Sequence, residues 1–383
     1  MIEGAGMRQP SNDEPIRVVE LAQEVSGPSV GRHFVLSGAE VVKVESLPDG
    51  DPSRVARPRG GETSSLFEYL NAGKRSVAID WESHDAAQRI ASLWSWADLV
   101  IVDDAFLAQP SVQQLMQAEG GPVVTAVTPF GLSGPYAGRP ATSSTVFAMG
   151  GETIMLPGGM GYELFPDEPP LVARGAVADI DAASIASLVS LAALIHGEGG
   201  HVNDVSVWET EASLNRWIAS HFDDSGWRES RATRAYSYGG LTACSDGFVM
   251  IQIATEGQWQ AFVRMMGEPA WAADPAYETQ AGRTAAGSEI GEHIRRWAGS
   301  LDKATIFALG IEYGVPVAPF REVGELLDCP QFGGRGFFAD HPIAYGTGDA
   351  QVPTLPYPAD HPPSAPAPRL GEHTSTFLVG LEA

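Results

Sequence analysis

Cysteine is nearly absent, with two in 383 residues, Cys244 and Cys329. Their separation fits no metal-binding spacing and gives no disulfide framework, which predicts a reducing, cytoplasmic setting. Basic residues are also scarce. Lys and Arg number 24 against 48 Asp and Glu, a formal net charge of −24. Nucleic acid and an anionic membrane are therefore not expected partners, and a polyanionic ligand needs a local basic patch. No apolar run reads as a membrane span, and the N-terminus lacks the apolar core of a signal peptide. There is no G-x-G-x-x-G after the first strand, no Walker loop, no H-E-x-x-H and no G-x-S-x-G elbow. A dinucleotide enzyme, a P-loop enzyme and a resident metal are not expected.

What the chain does have is a core-forming composition, 44% hydrophobic, and an alternation of strand and helix signals. Its length corresponds to roughly two or three domains. The stretch that organises the reading runs from Val124 to Gly151. The β-branched run Val123 to Val127 predicts a buried parallel strand, broken by Pro129, Gly131, Gly134 and Pro135. Thr142 to Thr145 then supply caps for a helix starting beside the strand's carboxyl end, where open α/β sheets bind ligands. The plain alternative is an ordinary strand-turn-helix corner.

Taken in order, Met1 to Gly6 and Ser11 to Glu14 predict a disordered or appended tail over 1–14. Ile16 to Leu21, the helical segment through Val35 and the strand Val41 to Val44 form a strand-helix-strand unit. Asn71 to Ile79, the amphipathic Asp85 to Trp96 and the strand Leu99 to Val102 continue the pattern. A doubly wound α/β sheet follows. Asp179 to His196 reads as a long apolar helix, and Tyr236 to Ile253 as a strand pair turning at Asp246-Gly247. The expected organisation is a large domain over 15–225, a smaller α+β domain over 226–325, and a return to the large domain over 326–383. The proline-rich run Pro353 to Pro368 is expected to wrap a surface in extended form.

Ten segments, in order, resemble the class III CoA-transferases, the family of formyl-CoA transferase, carnitine CoA-transferase and the 2-methylacyl-CoA racemases. They include SGPSVGRHFVLSGAEVVKVE (Ser26 to Glu45), GDPSR (Gly50 to Arg54), LNAGKRSVAID (Leu70 to Asp80), FGLSGPYAGRP (Phe130 to Pro140), VADIDAAS (Val177 to Ser184) and SDGFVMIQIATEGQW (Ser245 to Trp259). The resemblance implies a Rossmann-like large domain built from both chain ends, a small domain between them, and a homodimer interlocked like links of a chain. It implies coenzyme A or an acyl-CoA as substrate together with a carboxylic acid, and no metal. Around residues 71–75 it places Asn71, Lys74 and Arg75 by the CoA nucleotide, with Arg54 and Gly131 also lining the pocket.

The family transferases use an aspartate nucleophile, because a carboxylate exchanges readily between anhydride and thioester. The resembling motif, R-P-G-[YF]-D, reads Arg139-Pro140-Ala141-Thr142-Ser143 here, which puts Ser143 at the aspartate position and Thr142 beside it. Asp179 matches the racemases' second aspartate, and Glu256 falls where their glutamate lies. Asp179 also reads as a helix N-cap, and Glu256 as a cap or a solvated residue. Asp103 and Asp104 replace an asparagine and a basic region that help hold CoA, while Arg54, Arg57 and Arg59 offer compensating charge. Four readings stay open: an acyl-CoA enzyme with altered chemistry, an ordinary transferase whose acid is supplied by a residue such as Asp179, a silent structural subunit, and an enzyme that has abandoned CoA.

Overall fold

The computed structural model describes residues 14–55, 64–151, 153–156, 166–173, 175–197, 199–214, 220, 222–224, 226, 228, 230–231, 237–342, 349–354, 356 and 365–382. Arg57, Arg59 and nearly all of the expected N-terminal tail lie outside the described residues, as does most of the proline-rich run. The chain forms two compact units, one of Met1–Gly151, Ala173–Arg216 and Cys329–Ala383, the other of Glu152–Val172 and Trp217–Asp328. The expected borders were 225 and 325; the division falls at 216 and 328 and also assigns 152–172 to the second unit.

The first unit begins with β1 (Arg17–Leu21), α1 (Ser26–Leu36), β2 (Glu40–Ser46), α2 (Ser65–Asn71), β3 (Arg75–Ile79), α3 (Ala86–Trp96) and β4 (Leu99–Val102). It continues through α4 (Asp104–Leu107), α5 (Pro110–Met116), β5 (Val123–Thr128), α6 (Ser143–Met149), α7 (Val177–His196), β6 (Val202–Ser206) and α8 (Val207–Leu214). The six strands pair in parallel in the order β3-β2-β1-β4-β5-β6. The chain therefore winds outward from β1 to β3, then returns to start the other half at β4.

Strand side chains alternate between two cores, as a period of two demands. Val18, Leu99, Ile101 and Val127 face α1, α6 and α7, while Val19, Leu21, Val100 and Ala126 face α3 and α5. Each large side chain withdrawn from water contributes about 1.5–3 kcal/mol, which is why the β-branched runs settle as fully covered strands. Helix α7 presents Ala178, Ala182, Ala183, Ala186 and Ala193 to its core, and these small residues permit close approach. Its other face leaves Ile185, Leu188, Leu191 and Ile195 exposed, Leu188 at 65% and Ile195 at 74%. By length and composition alone α7 is apolar enough to span a bilayer, contrary to the expectation that no segment was. Its alanine face packs in the first of the two cores.

The second unit carries β7 (Gly240–Cys244), β8 (Gly247–Ile251), α9 (Glu256–Met265), α10 (Gln280–Ala285), α11 (Gly287–Ala298), α12 (Lys303–Tyr313), β9 (Val317–Pro319) and α13 (Val323–Leu327). Strands β7, β8 and β9 are antiparallel. Val249, Ile251, Phe262, Ile290, Ile294 and Ile306 close a core between sheet and helices, an α+β arrangement.

The chain then returns to the first unit through α14 (Pro330–Arg335), the antiparallel pair β10 (Phe338–Pro342) and β11 (Asp349–Pro353), and α15 (Thr374–Glu382). Phe377 and Leu378 of α15 join the α3 core. Just before it, Gly371 and His373 donate backbone N–H groups to Ser76 of β3, and Ala78 donates to Thr374 Oγ1 at 2.9 Å. The outer edge of an edge strand is thereby covered.

Candidate active site

Helix α6 starts where the sequence places it. Thr142 is the N-cap, its hydroxyl accepting from the Thr145 N–H while Thr145 Oγ1 accepts from the Thr142 N–H. Ser143 is the first helical residue, and its hydroxyl points toward the head of α7. Ser143 Oγ accepts from the Asp179 backbone N–H at 3.4 Å and also hydrogen-bonds to the Asp179 carboxylate. Two residues 36 apart in sequence thus share one corner of the first unit.

Asp179 is not the N-cap that the sequence suggests. That position is Ala176, held at φ 57° in the left-handed region, with no side chain to bond the first-turn amides. The apolar run starts two residues earlier than expected, at Val177, so Asp179 lies third in the helix. Its carboxylate is drawn out of water, and burial pushes its pKa up to about 6; the Ser143 hydrogen bond works against that rise, and the charges of Glu24 and Asp104 add to it. A carboxylate at about 6 is mostly ionised at neutral pH, yet poorly hydrated. That is the state a carboxylate nucleophile or base requires.

Glu24 and Asp104 follow the carboxyl ends of β1 and β4, which pair side by side. Asp103 points inward instead. It is 5% exposed and accepts from the Gln23 N–H at 2.8 Å and the Phe106 N–H at 3.2 Å, capping α4. Burial, with Asp104 beside it, holds its pKa up to about 7. Of the two acids expected to confront CoA, only Asp104 lines an open cleft. That cleft has about 680 Å³ and is also bordered by Gln113, Thr128, Phe130, Gly131 and Arg139. Gly131 adopts φ +83°, where a side chain is disfavoured, and the next residue's N–H donates to Asp204.

The expected CoA cations have other partners. Lys74 is 3% exposed, and its ammonium donates to Glu20 Oε2 at 2.7 Å, to the Pro28 carbonyl at 2.9 Å and to Asn71 Oδ1 at 2.9 Å. All three of its N–H donors are satisfied within the protein. Asn71 is wholly buried in the same contact. Arg54 grips Glu45 with two hydrogen bonds of 2.7 Å, bonds the Pro368 carbonyl and stacks on Phe67. Arg75 is half-exposed but opens β3, so it stands at the amino edge of the parallel sheet, paired with Glu40 at 2.6 Å. Ligands of such sheets bind at the carboxyl edge.

These cations belong to a buried network that sequence reasoning missed. Lys43 bridges Glu20 at 3.0 Å and Asp51 at 2.8 Å, and Glu20 also binds Lys74. Burial and the neighbouring Lys43 charge hold Lys74 down to about 8, whereas Lys43 is raised by Asp51, Glu20 and Glu45 against its own burial. The signal was present as charged residues inside apolar strand runs, VVELA and VVKVE.

Glu256 lies in the second unit, first in α9 behind its N-cap Thr255. Its carboxylate pairs with buried Arg283 at 2.6 Å, which also donates to Tyr238 and lies over Trp259. Among the described residues no group of His, Cys, Asp and Glu is arranged to hold a metal.

Residues 14–374 match a family model described as CoA-transferase family III. A succinate–glutarate CoA-transferase from Agrobacterium fabrum is 29% identical across 96% of this chain and 95% of its own length. The BbsE subunit of succinyl-CoA:(R)-benzylsuccinate CoA-transferase from Thauera aromatica is 31% identical across 95% of this chain and 92% of its own. Among solved structures, a CAIB/BAIF family protein from Brucella suis superposes with a TM-score of 0.80 at 25% identity, over 96% of this chain and 98% of that one.

Proposed function

The chain belongs to CoA-transferase family III, and from that premise we propose that it exchanges CoA between an acyl-CoA and a free carboxylic acid through the carboxylate of Asp179. The observation that carries this reading is the Asp179–Ser143 corner: a partly desolvated carboxylate with its pKa pushed up to about 6, steadied by a hydroxyl, at the head of α7. The sequence reading looked for the covalent acid at Ser143 and expected altered chemistry from its loss. The geometry supports the alternative in which Asp179 supplies the acid and Ser143 positions it.

The steps balance without water or an external acid. An Asp179 carboxylate oxygen attacks the thioester carbonyl, and CoA leaves as thiolate, giving a mixed anhydride. The thiolate attacks the Asp179 carbonyl of that anhydride, releasing the first acid and forming an aspartyl-CoA thioester. The carboxylate of a second acid attacks this thioester and expels CoA thiolate, giving a second mixed anhydride; the thiolate then attacks the second acid's carbonyl in it, releasing the new acyl-CoA and the free Asp179 carboxylate. Relatives named as CoA-transferases for succinate, glutarate and benzylsuccinate support exchange between an acyl-CoA and a carboxylic acid, without fixing which acid. Arg139, in the cleft beside Asp104, is the cation we assign to the CoA phosphates.

The same proposal includes an interlocked homodimer, supported by the apolar face of α7 that the described residues leave exposed, and a cytoplasmic setting, supported by two cysteines that form no disulfide. A second reading has a specific observation behind it. Lys74 and Arg54 are bound internally, and one relative is named as a subunit, which fits a silent member of a hetero-oligomer. Trapping separates the two. Incubation with butyryl-CoA and hydroxylamine is expected to convert Asp179 to a hydroxamate detectable by mass spectrometry. Asp179→Asn should abolish exchange, a fall of about three orders of magnitude or more, with folding intact. Tight CoA binding without label on Asp179, or no CoA binding by the isolated chain, would favour the silent subunit.

A further inference from the structure

The order of the sheet reverses between β1 and β4. From β1 the chain turns to α1 on one face; from β4 it turns to α4, whose Phe106 enters the opposite core. The two connections diverge, and the crevice between such connections is where open α/β sheets hold their ligands. Glu24 stands on one lip, three residues past Leu21, and Asp104 on the other, two past Val102.

Glu24 is held there by its backbone. It adopts φ 62°, a left-handed conformation uncommon for a residue with a side chain. Its N–H donates to Asp51 Oδ1 at 3.1 Å, and the N–H of Gln23 donates to Asp103 Oδ2 at 2.8 Å. Both acceptors are buried, Asp51 by Lys43 and Asp103 by the start of α4. The turn is clamped from two sides while the Glu24 side chain stays exposed. The charges of Asp51 and then Asp104 act on Glu24, and those of Glu24 and Asp104 act on Asp179.

We infer that Glu24 is a specificity-determining residue: its carboxylate, with Asp104 opposite, turns away acids that carry a second carboxylate and leaves the exchange to monocarboxylic acids. This inference rests on the Asp179 exchange proposed above. The reacting carboxylate loses its charge as the new acyl bond forms. A second carboxylate on the same molecule keeps its charge beside Glu24 and Asp104 throughout. With Arg139 of the neighbouring cleft taken up by the CoA phosphates, like charge turned against a competing acid is a common source of discrimination.

The test pairs acids of equal length. With butyryl-CoA as donor, the wild-type chain is expected to favour pentanoate over glutarate by about tenfold or more in kcat/KM. Glu24→Gln should cut that ratio about fivefold or more, through faster use of glutarate, and Asp104→Asn should act in the same direction. Raising the salt concentration should narrow the wild-type ratio and leave that of the double variant nearly flat. Equal use of the two acids, a preference for glutarate, or a ratio unmoved in both variants would overturn the inference while leaving Asp179 exchange standing. Failure to transfer to any acid, with no hydroxamate on Asp179, would remove the exchange reading and this inference together.

Discussion

At the scale of single residues, the Asp179–Ser143 contact makes two demands on pH. The nucleophile must be ionised, so exchange is expected to rise with pH through an inflection near 6, set mainly by burial of the carboxyl. The Ser143 hydroxyl opposes that rise, so Ser143→Ala should move the inflection to higher pH and slow exchange by about tenfold, the value of one hydrogen bond to a charged group. A pH–rate profile checks both, and an unmoved inflection would leave Ser143 with no positioning role. Stability runs the opposite way. A carboxyl whose folded pKa is raised favours the folded state below its unfolded value and loses that contribution as pH climbs through the folded pKa. Asp179 and Asp103 therefore cost stability at neutral pH, and Asp179→Asn should melt no lower than the parent at pH 8. Sequence showed Asp179 and Ser143 as candidates. It did not show that they touch, because a 36-residue separation carries no periodicity that would bring α6 to α7.

At the scale of elements, α1 and the first three strands are organised around ions. Gly31 of α1 lies so close to Glu20 and Lys74 that an added Cβ would fall 1.9 Å from Glu20 Oε2. Alanine is the better helix former by about 1 kcal/mol. Overpacking costs about 1–3 kcal/mol, and breaking a buried ion pair about 3–5 kcal/mol, so crowding should win. Gly31→Ala is expected to lower the melting temperature clearly, and Lys43→Met to destabilise by about 3–5 kcal/mol in denaturant titrations. The network also sets an acid limit. Lys43 holds Asp51 down to about 2, and Arg54 with Lys43 holds Glu45 low against their burial. Their contribution is present above the unfolded carboxyl range and fades as pH falls toward 2. The strands and helices themselves were legible: β-branched runs gave β4 and β5, and Thr142 gave the start of α6. The roles of Lys74 and Arg54 were not, since a basic residue in a turn motif reads alike whether it meets a phosphate or a buried glutamate.

At the scale of the whole molecule, the six-stranded parallel sheet and the separate antiparallel unit follow the alternation read along the chain, while the assignment of 152–172 to the second unit does not. Proximity in space between that segment and 217–328 leaves no mark in local composition. The apolar outer face of α7 belongs at this scale, because nothing among the described residues covers it. Leu188→Glu, placed where the side chain is 65% exposed, should leave the fold of one chain intact and shift sedimentation from the dimer proposed above to a monomer. An unchanged sedimentation coefficient would send the search for the contact elsewhere. The seam between β3 and residues 371–374 has its own consequence. During synthesis the ribosome delivers all six strands of the sheet long before it delivers the segment that seals β3. Until residues 371–374 emerge, the nascent sheet carries a bare row of amides and carbonyls along one border, and another nascent copy can pair with it. Sealing of this border thus lags formation of the sheet, and the interval before it is when the polypeptide is most exposed to mispairing.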